Sequence, residues 1–396
     1  MKSNLVLRVR PRTLAVLLVM DLLLAGCGAR EARLAVVSPT PTLPPATATL
    51  APTFTPLPSP SPTATWTATP TPTATPSPLP SPTPTMAVTP AAERAAFRGV
   101  SHEWQKLNNC GPTTAAMALS IYGSTMTQFD AAPILKGGPK DKNVSPTELA
   151  HFLTDQGLNA PVLVNGDLET VQSLVANGVP VIVEQWLERH DDPLTGHYRL
   201  VIGYDRPAGT ILVNDSYLGP SLTLSEADFE RWWRAFNRVF IPVYPDEKAA
   251  VVSVILQRAE HEPGWEGAER TARAELASSP DVYAWFNLGT ALTHQQRFAE
   301  AAAAFDEALT LGLPSERMLW YQFEPFEAYT EAGQPKRTLV VSAPLATVGI
   351  EEIHFYRGQA LAALGRLDEA RAEYRQALAL RAHFPEAEVA LAGVGS

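Results

Sequence analysis

Residues 105 to 114 read Gln105-Lys106-Leu107-Asn108-Asn109-Cys110-Gly111-Pro112-Thr113-Thr114. Behind them the apolar residues Ala115, Ala118, Leu119 and Tyr122 recur at i, i+3, i+4 and i+7. That is the spacing of one buried helix face, and Gly123 ends it. Pro112 suits a first helical turn, where a backbone N–H has no intrahelical partner to lose. Cys110 is therefore expected at the positive end of a helix, a setting that favours thiolate over thiol. A polar Asn-Asn-Cys-Gly loop is an unusual place for a cysteine that serves only as a small buried hydrophobe.

The chain has 396 residues and only one other cysteine, Cys27. Upstream of it, Lys2, Arg8, Arg10 and Arg12 form a basic segment, and Thr13 to Gly26 is an apolar run interrupted by Asp21. This pattern reads as an export signal over residues 1–27, too short for a membrane span of ~20 apolar residues. Its ending, Leu24-Ala25-Gly26-Cys27, resembles the bacterial lipobox, which implies that Cys27 is lipidated and becomes the mature N-terminus. With Cys27 consumed by lipid, Cys110 has no partner within the chain. It is then a free thiol in an exported protein, the profile of a nucleophile. Residues 28–92 follow as a Pro/Thr/Ser/Ala tether with no charged residue between Arg33 and Glu93. Proline fixes φ and removes donors, so this stretch is expected to be a disordered, extended spacer of ~3 Å per residue.

The remainder is long enough for two domains, expected over 93–246 and 247–396. Net charge is −10 with no basic cluster outside the signal, which argues against nucleic acid as a partner. In the first unit, helices are expected at Ser145–Gly157, with Ser145 as N-cap, and at Asp167–Asn177. Strands are expected at Val179–Trp186, Tyr198–Tyr204 and Thr210–Asn214. Helices early and strands late indicate an α+β layer.

A thiol nucleophile needs a base and a group that orients the base. Of eight histidines, His197 in Gly196-His197-Tyr198 stands at the head of an apolar strand and has the most suitable setting. His102 is the rival base, read as a surface loop residue. The next strand ends Val213-Asn214-Asp215-Ser216. A slip of one residue exchanges the faces of a strand, so this reading leaves either Asn214 or Asp215 pointing at His197. His190-Asp191-Asp192 reads as a polar loop and not as a metal site, since adjacent residues rarely converge on one ion. Neither a metal nor an organic cofactor is implied.

Gln105…Asn109-Cys110-Gly111-Pro112, then Gly196-His197-Tyr198, then Asn214-Asp215, resembles the C39-like branch of the papain-fold cysteine peptidases over roughly residues 97 to 245. It is similar to the bacteriocin-processing peptidases that cut after double-glycine leaders. The resemblance implies Cys110 as nucleophile, His197 as general base and Asp215 as the residue orienting it. It also implies an oxyanion hole formed by Gln105 and the backbone N–H of Cys110. The chain lacks the transporter and ATPase parts of double-glycine exporters, so export-coupled leader processing is not carried over.

Residues 247–396 are Ala-, Leu- and Glu-rich with an internal repeat. One copy carries Trp285, Leu288, Gly289, Leu292, Phe298, Ala301, Phe305 and Ala308; another carries Gly358, Leu361, Gly365, Leu367, Ala370, Tyr374, Ala377 and Pro385. Gly289 and Gly358 stand two periods of ~34 residues apart, the tetratricopeptide period. Tyr329, Gly333 and Leu345 suggest a degenerate middle copy whose second helix is weakened by Pro335 and Pro344, and 247–279 suggests a leading helix pair. Such a stack offers a concave docking face for a protein or peptide, or buttresses the preceding domain.

The expectation is an α+β papain-like peptidase domain followed by an all-α tetratricopeptide domain. The protein is read as a lipoprotein on the outer face of a bacterial membrane, hydrolysing peptide substrates through Cys110. Two alternatives are a non-catalytic peptide-binding module on the same fold, and an amidase or transpeptidase acting on cell-wall peptides.

Overall fold

The computed structural model describes residues 88–395, with 90, 139, 140 and 191 excepted. The segment expected to be an export signal, Cys27 and most of the expected 28–92 tether lie outside the described residues. A short strand, β1 (Arg94–Ala96), is followed by four helices: α1 (Cys110–Ser120), α2 (Gln128–Leu135), α3 (Pro146–Asp155) and α4 (Leu168–Ala176). Next come β2 (Val181–Arg189), β3 (Asp192–Asp205), β4 (Thr210–Asp215) and β5 (Gly219–Ser225), then α5 (Glu226–Trp233) and β6 (Phe240–Pro242). The helix starts are written in the sequence. Ser145 and Thr127 close capping boxes with Glu148 and Asp130, and Asp167 accepts from the backbone N–H of Thr170 at the start of α4. Of these helices, α2 has no counterpart among the sequence expectations.

The strands form one antiparallel sheet in the order β5-β4-β3-β2-β6, with β1 pairing the far end of β3. Alternation along the strands feeds two cores. Ile182, Tyr198, Leu200 and Ile202 pack with α1, α2 and α3 on one side. Val181, Val183, Val201 and Val213 pack on the other with residues of α4 and α5. Helices therefore cover both faces, and the α+β layer inferred from the order of elements is what the chain forms.

The helical region runs α6 (Ala249–Gln257), α7 (Trp265–Ser278), α8 (Val282–His294), α9 (Phe298–Leu311), α10 (Glu324–Glu331), α11 (Pro335–Ser342), α12 (Glu351–Ala363), α13 (Leu367–Leu380) and α14 (Pro385–Gly393). The repeat glycines are contact points between paired helices. A Cβ on Gly289 would come within 2.6 Å of the Phe305 ring, and one on Gly358 within 2.4 Å of the Tyr374 ring. Small residue on one helix and aromatic on the next let the pair close. The middle copy is more regular than its prolines suggested, because Pro335 sits in the first turn of α11, where proline costs no hydrogen bond. Pro344 falls in a short 3-10 turn beyond the helix. The leading pair expected over 247–279 is divided instead. Val251, Val252 and Ile255 of α6 bury into the sheet core beside α4.

Packing does not stop at residue 246. Trp186 from β2 and Ala235 and Phe236 from the segment after α5 share one apolar cluster with Phe286, Leu288, Phe305, Met318 and Phe326 of the helices. The described residues accordingly form one compact unit.

Candidate active site

Cys110 is the first residue of α1, half-buried, directly after the left-handed Asn108 and the buried Asn109. Its thiol faces the side chain of His197, which couples to it electrostatically, stands on β3 and is 2% exposed. On the other side of the ring, His197 Nε2 lies 2.9 Å from Asp215 Oδ1. A carboxylate can only accept, so Nε2 carries a proton and Nδ1 is the ring nitrogen left for the thiol. The β3–β4 register sets this geometry. Arg199 lies opposite Asp215 and Leu200 opposite Asn214, so Asp215 shares the face of His197 and Arg199. Asn214 turns away, its Oδ1 accepting from the Ser221 backbone N–H at 2.9 Å.

The electrostatics follow from these contacts. Burial pushes the Cys110 thiol up, but the hydrogen bond and charge of His197 outweigh it, and its pKa ends below that of an ordinary thiol. Burial pushes His197 down, yet Asp215 and then Cys110 raise it above the usual imidazole range. Asp215, although burial opposes its charge, is held far below the usual carboxylate range by His197, Arg199 and the Leu218 backbone N–H. All three directions favour a thiolate–imidazolium pair backed by a carboxylate.

Gln105 lines the same cavity as Cys110 and His197. Its Oε1 accepts from Ser216 Oγ at 2.7 Å, and its backbone N–H donates to the Ser216 carbonyl at 2.9 Å. Its amide Nε2 has no hydrogen-bond partner among the described residues. His102 does not join the group. Its Nε2 donates to the backbone carbonyl of Asp215 at 2.9 Å, behind the strand end.

Residues match the Peptidase C39 like family model over 97–241 and tetratricopeptide repeat models over 264–313 and 351–383. The chain carries a peptidase C39-like domain followed by tetratricopeptide repeats. No curated protein matches it. Among solved structures it is similar to the peptidase domain of Streptococcus ComA, a bi-functional ABC transporter involved in a quorum-sensing pathway. Identity is 16%, coverage 37% of this chain and 97% of that one, and the TM-score 0.30. It is also similar to a double glycine motif protease from an AMS/PCAT transporter in complex with the leader peptide. There the identity is 15%, coverage 38% and 98%, and the TM-score 0.28.

Three polar residues of the C39-like domain escaped the sequence reading. Arg199, 1% exposed, donates from Nε to Asp215 Oδ2 at 2.8 Å and from a terminal nitrogen to Gln185 Oε1 at 3.0 Å. It clamps the carboxylate that faces His197. Gln128, at the start of α2, accepts from the Lys106 backbone N–H at 2.7 Å and from Asn109 Nδ2 at 3.1 Å. It donates to Glu103 Oε1 at 2.8 Å and to the Trp104 carbonyl at 2.9 Å, so one buried amide ties down the whole loop that carries Gln105 and leads into Cys110. Glu184, opposite Tyr198 on β2, is the third. A Gln or Glu in a short loop-like or strand segment carries no local mark of burial, which appears only when a second element closes over it.

The repeats contribute a wall to the cleft. The cavity around Cys110, about 500 Å³, is lined by Arg317, Trp320 and Tyr321 from the segment before α10 as well as by the C39-like domain. A Cβ on Gly196 would come within 2.8 Å of the Tyr321 ring, so the glycine beside His197 is what lets this wall approach. Asn143 Nδ2 donating to the Trp320 carbonyl at 2.9 Å and Arg317 donating to Thr195 Oγ1 at 2.6 Å fasten it.

Proposed function

We propose that the protein is a cysteine peptidase that cleaves peptide bonds by transfer of the acyl group to Cys110 and then to water. The thiolate of Cys110 attacks the carbonyl carbon, and the developing oxyanion is met by the Cys110 backbone N–H and the free Nε2 donors of Gln105. The His197 imidazolium gives its proton to the leaving amine, which departs as the thioester forms. Neutral His197 then takes a proton from water, whose oxygen attacks the thioester and returns the thiolate. Asp215 holds the imidazole in place and stabilises its charged form. The observation that carries this reading is the Cys110–His197–Asp215 sequence of contacts, with a depressed thiol and a raised imidazole at the wall of an open cavity.

The protein works at the outer face of a bacterial membrane, anchored through a lipidated Cys27 and held off the surface by the Pro/Thr tether. The tetratricopeptide repeats present a protein partner to the cleft that they help to wall. The test is cleavage of a peptide library by the full chain, wild type against Cys110→Ser. Discrete products from the wild type alone are expected. Equal products from both, or none from either, would reject peptidase activity and leave a peptide-binding module or amidase chemistry on cell-wall peptides to be assayed.

A further inference from the structure

Beside the cleft at Cys110 lies a second cavity of about 260 Å³. The two share Asn143, Val144, Glu184 and Tyr321 as common lining, so Glu184 stands where they adjoin. Their charges differ. Around Cys110 stand Lys106, Lys142, Arg189 and Arg317 with one carboxyl, Glu184. The second cavity carries Glu184, Glu324 and Glu327, and among its described lining residues there is neither Lys nor Arg. Its other walls are rings, chiefly Trp265, Phe323 and Tyr356, of which the last two stack 6.1 Å apart.

Two of these carboxyls are left wanting a partner. Glu184 is only 6% exposed, lines both cavities and has no hydrogen bond among the described residues. Glu324 accepts from His294 Nε2 through Oε1 at 3.3 Å, while its Oε2 is buried without a partner. His294 is itself stacked flat on Trp265, 3.8 Å between centroids, which fixes that pair as wall and not as occupant. Burial, then Cys110 and Glu324, push the Glu184 carboxyl well above the usual carboxylate range, a direction that a cation bound in the pocket would reverse, and native proteins rarely keep such a buried group idle. Carboxylates beside aromatic faces are the surroundings that recognise a cation on an apolar stem, through charge-assisted hydrogen bonds and the negative ring faces.

We infer that this second cavity is a specificity pocket for a lysine or arginine side chain of the bound peptide, with Glu184 and Glu324 as its anion partners and the rings of Phe323 and Tyr356 along its stem. The inference rests on the peptide-substrate reading of the cleft and deepens it: the substrate class becomes basic peptides. The pocket is assembled by both parts of the molecule, since Glu184 comes from β2 and Glu324 and Tyr356 from the repeats.

The experiment is equilibrium binding of short peptides to the full chain carrying Cys110→Ala, so that turnover plays no part. Each peptide is acetylated and amidated at its ends, and lysine is exchanged for norleucine, or arginine for citrulline, at one position at a time. At one position the cationic form should bind on the order of 10-fold to 100-fold more tightly, the range for a hydrogen bond to a charged group. Glu324→Gln and Glu184→Gln should each erase that difference while norleucine peptides bind as before. If Glu184→Gln does not fold, the more accessible Glu324→Gln decides. Equal binding of lysine and norleucine forms at every position, a preference that survives Glu324→Gln, or no binding of any lysine peptide would overturn the pocket. Lysine-selective binding without cleavage by the wild type would reject the peptidase and keep the pocket; cleavage indifferent to lysine would do the reverse.

Discussion

Asp215 accepts from two buried cations at once, His197 through Oδ1 and Arg199 through Oδ2, and from the backbone N–H groups of Tyr217 and Leu218. Removing the carboxylate therefore does more than loosen the imidazole. Asp215→Ala leaves Arg199 charged and 1% exposed with no counter-ion, a loss of about 3–5 kcal/mol, so its inactivity would say little about catalysis. Asp215→Asn keeps the shape and is the informative variant. Because the folded carboxyl titrates far below its unfolded value near ~3.9, its contribution to stability is fully present above that value and is lost as pH falls below it. The stability difference between wild type and Asp215→Asn should grow as pH falls from alkaline values to about 5, because the carboxylate favours a charged His197 only in the wild type, and should shrink below about 4, read by denaturant titration at each pH. A difference that does not change with pH would mean that the ion pairs do not hold this carboxyl ionised.

At the scale of elements, α2 shows how the loop before the thiol is kept in place. Gln128→Met removes the buried amide that holds Lys106, Asn109, Glu103 and Trp104, and should cost about 1–3 kcal/mol through the groups left unpaired. If Gln128 positions the nucleophile, kcat also falls and the alkylation midpoint of Cys110 rises toward that of an ordinary thiol. Loss of stability with both unchanged would make Gln128 a structural residue only. The same helix shows where reading the sequence stops. The starts of α1, α3 and α4 were legible because periodic apolar residues follow a proline or a capping Ser or Asp. α2 is eight residues long and contains Pro133, so its pattern is too short and too interrupted to stand out. Cys110, His197 and Gln105 were legible from local setting and family pattern. The choice between Asn214 and Asp215 was not legible from the residues alone, since it depends on a register that pairs Arg199 with Asp215 across two strands. Arg199, Gln128 and Glu184 gave no signal for a related reason: their burial is produced by elements distant in the chain.

At the scale of the whole molecule, the repeats and the sheet share a core, and the site inherits that union. Phe236, Trp186 and the helical aromatics pack as one cluster, and from it Tyr321 projects onto Gly196 beside His197. Tyr321→Ala should raise KM several-fold and leave kcat nearly unchanged, because it takes away a cavity wall that would hold bound peptide and transition state alike, and no group that changes charge in the reaction. A fall in kcat with constant KM would place Tyr321 in the chemistry instead. Underneath stands the claim that Cys110 rests as a thiolate paired with an imidazolium. The most direct measurement of it is the rate of Cys110 alkylation by iodoacetamide across pH in the full chain, wild type beside Asp215→Asn. The account predicts a thiolate titration clearly below ~8.5 in the wild type, with a further inflection from His197 above ~6.5 that moves to lower pH in Asp215→Asn, where the imidazolium has lost its carboxylate. A single inflection at the ordinary thiol value, the same in both proteins, would contradict it.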